Sequence, residues 1–283
     1  MVIGDELSRV IALLKQSGNE NPYFEAHLIF RHVLKISPTD LVLSRNKEIT
    51  KESINIINEY VKRRINKEPL QYILKSQEFM GFDFYVDENV LVPRQDTEVL
   101  VEHILEHFAG KGITAVDIGT GSGCIAVSVA KINEKAFVKA IDISEKAIEI
   151  ARKNAKTNGV LERVSFEVAD IFSFEPFGKY DLVVSNPPYI KSDVIKTLQD
   201  DVKNFEPALA LDGGKTGLSY YERITKITPK LLNKDGMLAF EIGYDQAEDV
   251  KKLMENDFYN IKVIKDLSRN DRVVSGLYKG TVC

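Results

Sequence analysis

From about residue 96 onward, short apolar runs alternate with helical stretches, and no other feature constrains the fold of this chain as much. Runs at 113–118, 137–141, 164–168, 180–185 and 237–242 read as strands. Helical spacing fills the intervals at 96–109, after Gly123, at 144–157, at 217–232 and near 246–256. Alternation of this kind predicts an α/β fold: a mainly parallel sheet with helices on both faces. The last two runs, near 260–265 and 272–278, have no helix between them, which predicts an antiparallel last strand.

The chain before residue 96 differs in character. Leu7, Val10, Ile11 and Leu14 fall at helical spacing, and Gly18 is a stop. Asn21-Pro22 and Ser37-Pro38 each read as a cap followed by a first-turn proline, and Thr50 caps a longer helix that ends before Pro69. The expectation is a helical domain of about five helices over 1–76. Residues 77–95 carry Phe79, Phe82, Phe84 and Val86, then Asp87-Glu88-Asn89 and Val90-Leu91-Val92. They predict a β-hairpin linker with its turn at 87–89. Residues 96–283 form the second domain.

No run of about 18 apolar residues occurs, and no basic-then-apolar leader opens the chain, so a cytoplasmic protein without membrane contact is expected. Cys124 and Cys283 suit neither a disulfide framework nor a metal cluster. Net charge is −4, with +2 over residues 1–78 and −6 over the remainder. No basic field draws the second domain to nucleic acid.

Two stretches carry chemistry. Val116 to Gly123 is a strand ending in the turn Gly119-Thr120-Gly121-Ser122-Gly123, which opens a helix. The glycines let backbone pass close to a ligand, and the helix start is expected to offer free N–H groups to an anion. Asp142 ends the next strand, 19 residues after Gly123, where an acid accepts bonds from ribose hydroxyls. Ser144 is better placed than Asp142 to cap the following helix. Asp170, with Ile171, ends the third strand, facing either an adenine amine or a plain surface turn. NAD and S-adenosylmethionine both fit the glycine turn. The second stretch, Asn186-Pro187-Pro188-Tyr189, separates them. It follows the strand 180–185, and its two prolines have no N–H for a sheet ladder, so the chain must leave the sheet there. Hydride transfer has no use for such a stretch.

With both stretches in hand, the chain resembles class I S-adenosylmethionine-dependent methyltransferases of Rossmann-like fold. More narrowly, it is similar to the HemK/PrmC family of peptide chain release factor glutamine methyltransferases. The resemblance covers nearly the whole chain. It is carried by Pro69 to Leu74, Glu78 to Gly81, Val92-Pro93-Arg94 with Thr97-Glu98, Asp117 to Gly123, Asn186 to Tyr189, Glu206-Pro207, Glu241-Ile242-Gly243 and Asp271 to Val274. Gln95-Asp96, Lys75 and Thr216 depart from the family pattern. The resemblance implies that Asn186, Pro187, Pro188 and Tyr189 bind the substrate glutamine, with Asn186, Pro187 and Tyr189 catalytic. Gly119 to Gly123, Asp142, Asp170, Ile171 and Asn186 would bind S-adenosylmethionine and its product S-adenosylhomocysteine. Arg94 would line the approach, or form a hairpin salt bridge. The helical domain would contact class I release factors.

On the chemistry, Asn186 can accept one amide hydrogen and the Pro187 carbonyl the other, while Tyr189 packs on the flat amide. The alternatives are an amino methyltransferase acting on adenine or guanine, an enzyme for a ribosomal-protein glutamine, a cofactor-binding module and an NAD oxidoreductase. His103-Ile104-Leu105-Glu106-His107 matches the pattern H-x-x-E-H, but no third ligand presents itself, and metal binding is not expected. His27 and His32 are most simply structural.

Overall fold

The computed structural model describes residues 1–176 and 178–280. Cys283 lies outside the described residues. The chain divides into two compact units.

The first unit comprises Met1–Lys75 and a returning segment, Gln199–Phe205. Its helices are α1 (Ile3–Gln16), α2 (Pro22–Leu34), α3 (Pro38–Leu43), α4 (Lys51–Ile65) and α5 (Leu70–Leu74). Val10, Leu14, Ile29, Phe30 and Ile57 are fully buried at its centre. Ser37 and Thr50 cap as expected, accepting from Asp40 N and Ser53 N at 3.1 Å each. Asn21 does not cap with its side chain. Its N–H instead donates to Asn19 Oδ1 at 2.8 Å, so the turn before α2 is closed one step earlier.

The second unit, Ser76–Leu198 and Glu206–Cys283, opens with a hairpin of β1 (Gln77–Phe79) and β2 (Phe82–Phe84). Its turn is Met80-Gly81, not 87–89, with φ of 52° and 76°. Two consecutive left-handed residues match the twist of a two-residue hairpin. Residues 87–90 make a separate turn in which Asp87 Oδ1 accepts from Asn89 N at 3.0 Å. The hairpin is also anchored: Phe79 and Phe84 are buried in the unit's core, and Asn154 brackets Tyr85, accepting from its N–H and donating to its carbonyl.

Then follow α6 (Gln95–His107), β3 (Ile113–Ile118), α7 (Cys124–Ile132), β4 (Ala136–Asp142), α8 (Glu145–Thr157), β5 (Val164–Val168) and β6 (Tyr180–Ser185). After the short α9 (Asp200–Phe205) come α10 (Ser219–Leu231), β7 (Leu232–Glu241), α11 (Ala247–Met254), β8 (Phe258–Lys265) and β9 (Asp271–Tyr278). The seven strands order as β5-β4-β3-β6-β7-β9-β8. All are mutually parallel except β9, which slots between β7 and β8 and runs against both. A buried cluster covers each face of the sheet. The order reverses between β3 and β6, which pair directly, Ala115 with Leu182. That reversal leaves a crevice at the carboxyl ends of β3 and β6.

Candidate active site

The crevice is a cleft of about 170 Å³. Its lining includes Gly119 to Ser122 from the turn after β3, Asp142 and Ile143 after β4, Asp170 and Ile171 after β5, and Asn186 to Pro188 after β6. The fold thus brings together stretches that lie up to 70 residues apart in sequence. Gly123 and Tyr189 are not among the lining residues.

The glycine turn is built differently from the expectation. Gly119 N and Thr120 N both donate to the Ile141 carbonyl, at 2.8 and 3.0 Å. Gly121 N donates to Asp142 Oδ2 at 2.9 Å, and Gly123 N to the Thr120 carbonyl at 2.8 Å. The start of α7 is occupied by the chain's own acid: buried Asp117 accepts from the Thr120 hydroxyl at 2.6 Å and from the Ala126 N–H. Burial pushes Asp117 up to about 7, against those two bonds. The amides of Gly119, Thr120, Gly121 and Gly123 are thus spent holding the turn's own shape, while Ser122 N and the first amide of α7 remain without an acceptor among the described residues. Gly119 and Gly121, with φ of 74° and 53°, have open space where a Cβ would lie, so the backbone itself forms the wall. Gly123 serves packing: a Cβ there would meet that of Ala151 at 2.9 Å.

Asp142 ties two elements together, accepting from Gly121 N and, through Oδ1, from Ser144 N at 2.9 Å. Each oxygen keeps a second lone pair for a ligand. Burial raises its pKa, and the backbone bonds oppose this. Ser144 caps α8, accepting from Ala147 N at 3.2 Å. Asp170 closes a turn, accepting from Phe172 N at 2.9 Å, and it also lines the cleft. Arg94 also lines the cleft, and its partner lies outside the hairpin: Nη2 donates to both oxygens of Glu206 at 2.7 Å. Glu206 is buried, so the pair is neutral where it meets the cleft.

Asn186 stands at the end of β6, and its Nδ2 donates to Thr97 Oγ1 at 3.2 Å. Among the described residues no hydrogen bond reaches Asn186 Oδ1 or the Pro187 carbonyl, and both residues line the cleft. Tyr189 turns away from the cleft to pack against the buried cluster on the α10 face. Burial pushes its hydroxyl up to about 12. Several supporting residues were not singled out by sequence reasoning. Gln246 donates to the Tyr189 and Gly217 carbonyls at 3.1 and 3.3 Å and accepts from Gly243 N at 2.9 Å. Gly213 and Gly217 lie so close to Pro188 and Tyr189 that no Cβ fits. A glutamine four residues past Glu241-Ile242 carries no local signal of this work.

Cys124 is buried at the start of α7, where burial lifts its thiol to about 12, so it is no nucleophile. His103 Nε2 lies 2.9 Å from Ser275 Oγ on β9, and burial with Lys262 nearby lowers its pKa. No group of His, Cys, Asp or Glu able to hold a metal ion occurs among the described residues. His27 bonds the Tyr23 carbonyl and His32 packs on Tyr60, both local contacts within the helical unit.

The donor set discriminates between cofactors. A pyrophosphate would find four of the turn's five amides committed inward and would face Asp142 and Asp170. A cationic adenosyl ligand without phosphate finds a ribose acceptor, apolar walls at Ile118, Ile143 and Ile171, and two carboxylates. Fold and cleft together define a class I S-adenosylmethionine-dependent methyltransferase. Comparison with known proteins narrows this. The Methyltransferase small domain model matches residues 94–209 and the PrmC N-terminal domain model residues 6–74. A release factor glutamine methyltransferase of Clostridium acetobutylicum is 40% identical over 99% of this chain and its own whole length. One from Fusobacterium nucleatum is 42% identical over 95% of this chain and 77% of its own. The chain belongs to the release factor glutamine methyltransferase family. A solved methyltransferase from Pyrococcus furiosus shares the fold, with a TM-score of 0.54 at 21% identity, over 79% of this chain and all of that one.

Proposed function

We propose that this protein methylates the side-chain amide nitrogen of the glutamine in the Gly-Gly-Gln loop of class I peptide chain release factors. The observation that carries the reading is the pair of unpartnered acceptors, Asn186 Oδ1 and the Pro187 carbonyl, opening into the same cleft as Asp142 and the glycine turn.

An amide nitrogen is a poor nucleophile because its lone pair is delocalised into the carbonyl. S-adenosylmethionine supplies an electrophilic methyl group that needs no activation. Gly119 to Ser122, Asp142, Asp170 and Ile171 would hold the cofactor. Asn186 Oδ1 and the Pro187 carbonyl each accept one hydrogen of the substrate amide. Two acceptors at fixed angles orient the amide so that its nitrogen lone pair, which lies perpendicular to the amide plane, faces the methyl donor, and they stabilise positive charge developing on nitrogen. Orientation of this quality contributes up to about 7–11 kcal/mol to such a step. No strong base is needed, because an N-methylated amide still carrying its extra proton is a strong acid. Tyr189 acts as an anchor for Pro187 and Pro188, with its ring in the core. Arg94, neutralised by Glu206, shapes the rim without drawing phosphate.

The helical unit serves as the surface for the release factor. Tyr23, Phe24, Val42 and Leu43 stand exposed on α2 and α3, apolar side chains suited to a protein partner. The −6 charge of residues 79–283 and the carboxylates of the cleft disfavour nucleic acid as substrate. Among the described residues no helix is long and apolar enough to cross a membrane. Labelled S-adenosylmethionine, incubated with the protein and either a release factor or total RNA, tests the reading. Label on the Gly-Gly-Gln glutamine is expected, and label on RNA would overturn it. Asn186→Ala should abolish transfer while S-adenosylmethionine affinity, measured by calorimetry, stays within about threefold, since Asn186 is spent on the amide. Equal loss of both would place Asn186 in the cofactor site instead.

A further inference from the structure

Asn186 can serve as an acceptor in only one of its two amide orientations. With Oδ1 toward the cleft it accepts a substrate N–H. Turned over, it presents hydrogens and repels one. The carboxamide itself does not choose, because its two ends are nearly the same size.

The choice is made behind it. β6 and β7 run parallel with Ser185 opposite Phe240, so the next residues, Asn186 and Glu241, stand side by side. Thr97, in the first turn of α6, lies 3.2 Å from Asn186 Nδ2. Thr97 and Glu241 are each only 2% exposed. Thr97 and Asn186 lie close enough to the Glu241 carboxylate that their hydrogens hold its pKa down against its burial. The donor count then has one solution. An ionised carboxylate only accepts, and Thr97 has a single hydroxyl hydrogen, which goes to Glu241. The Thr97 oxygen is left to accept, and Asn186 must turn its NH₂ end toward it.

We propose that Thr97 and Glu241 are positioning residues that lock the Asn186 carboxamide with Oδ1 facing the cleft. The inference rests on the acceptor role proposed for Asn186. Glu241 Oε2 is buried without a hydrogen-bond partner, an arrangement that opposes stability. For folding alone, an apolar residue of similar volume would serve this position as well or better. Arg272 from β9, Asp96 from α6, Tyr189 after β6, Cys124 at the start of α7 and Tyr221 on α10 are the other ionisable groups in its field. Burial lifts Glu241 to about 7, so the carboxylate is mostly ionised at pH 8.

The test compares the full-length parent with Thr97→Val and Thr97→Ser at pH 8. Valine keeps the shape and removes the hydroxyl, and serine restores it. One readout is methyl transfer to a release factor. The other is hydrogen exchange of the Asn186 side-chain amide by NMR. Thr97→Val should lower kcat about 10–100-fold with KM for S-adenosylmethionine within about twofold, and Thr97→Ser should stay within about threefold of the parent. Exchange at Asn186 should quicken about tenfold or more in Thr97→Val, the loss of one restraining bond. Unchanged exchange, or undiminished kcat in Thr97→Val, overturns the lock. A parent that transfers no methyl group but shows the expected exchange overturns the glutamine reading and leaves the lock standing.

Discussion

Gly213→Ala probes how tightly the substrate clamp is braced. A Cβ at Gly213 would lie 2.8 Å from the Pro188 carbonyl oxygen, 2.8 Å from Tyr189 Cα and 2.9 Å from the Tyr189 carbonyl carbon. These are backbone atoms and cannot rotate aside. Ordinary contact begins at 3.4 Å, so the two backbones must part by the difference from 2.8 Å, about 0.6 Å. They are not free to part: Gly213 N donates to the Ile190 carbonyl at 2.8 Å, and Ile190 N to the Leu211 carbonyl at 3.1 Å. The displacement therefore passes to Pro188 and on to the Pro187 carbonyl. A 1 Å misplacement can cost about a hundredfold in rate, so a shift of this size should cost about tenfold in kcat. Overpacking should also destabilise the fold by about 1–3 kcal/mol. The assay is initial-rate methyl transfer to a release factor, with urea denaturation alongside. Gly112→Ala is the control, because its Cβ meets Lys135 at 3.4 Å and should change neither reading. A Gly213→Ala protein with kcat within twofold of the parent would show that the segment around Gly213 does not brace the clamp.

Asp142→Asn should weaken S-adenosylmethionine binding about tenfold or more by calorimetry. One of the N–H groups of Gly121 and Ser144 would then face an NH₂ group, so the turn should loosen by about 1–2 kcal/mol. Unaltered affinity would remove Asp142 from the cofactor site. Glu241→Gln should change how stability depends on pH. The carboxyl titrates near 4.5 when unfolded and near 7 when folded. Below that window it is protonated in both states. As pH rises through it, the unfolded state ionises first, so stability is lost progressively and the full loss is present above 7. The gap corresponds to about 3 kcal/mol, by which Glu241→Gln should gain on the parent between pH 4 and pH 8 in urea denaturation. A pH-independent difference would contradict the buried, destabilised carboxylate.

Local pattern and local chemistry show clearly where the chain is regular. The strands at 113–118 and 180–185 stand at the boundaries that apolar runs mark, because central strands covered on both faces leave a nearly continuous apolar signature, and the edge strand at 164–168 is marked by its alternation of apolar and polar residues instead. The hairpin turn was misplaced for a specific reason. Met80 adopts a φ of 52°, a conformation side chains rarely announce, whereas Asp87-Glu88-Asn89 has ordinary turn composition. The short α9 was not foreseen, since six residues with no buried position carry no helical stripe.

The cleft positions of Gly119, Gly121, Asp142 and Asn186 were legible because each lies at or just past a strand's carboxyl end and is of a residue type that suggests a chemical role. What the glycine turn does with its amides was not legible. The bonds from Gly119 and Thr120 run to Ile141 on a neighbouring strand, and Asp117 reaches into the start of α7. Sequence by itself determined the order of elements, the two chemical stretches and the kind of nitrogen they suit, because these depend on residue type and short spacing. Only the tertiary structure decided that β3 and β6 are neighbours, that Glu241 lies beside Asn186, and that Gly213 and Gln246 brace the clamp. Those pairings join residues far apart in the chain. They are set by strand order and close packing, which no local pattern encodes.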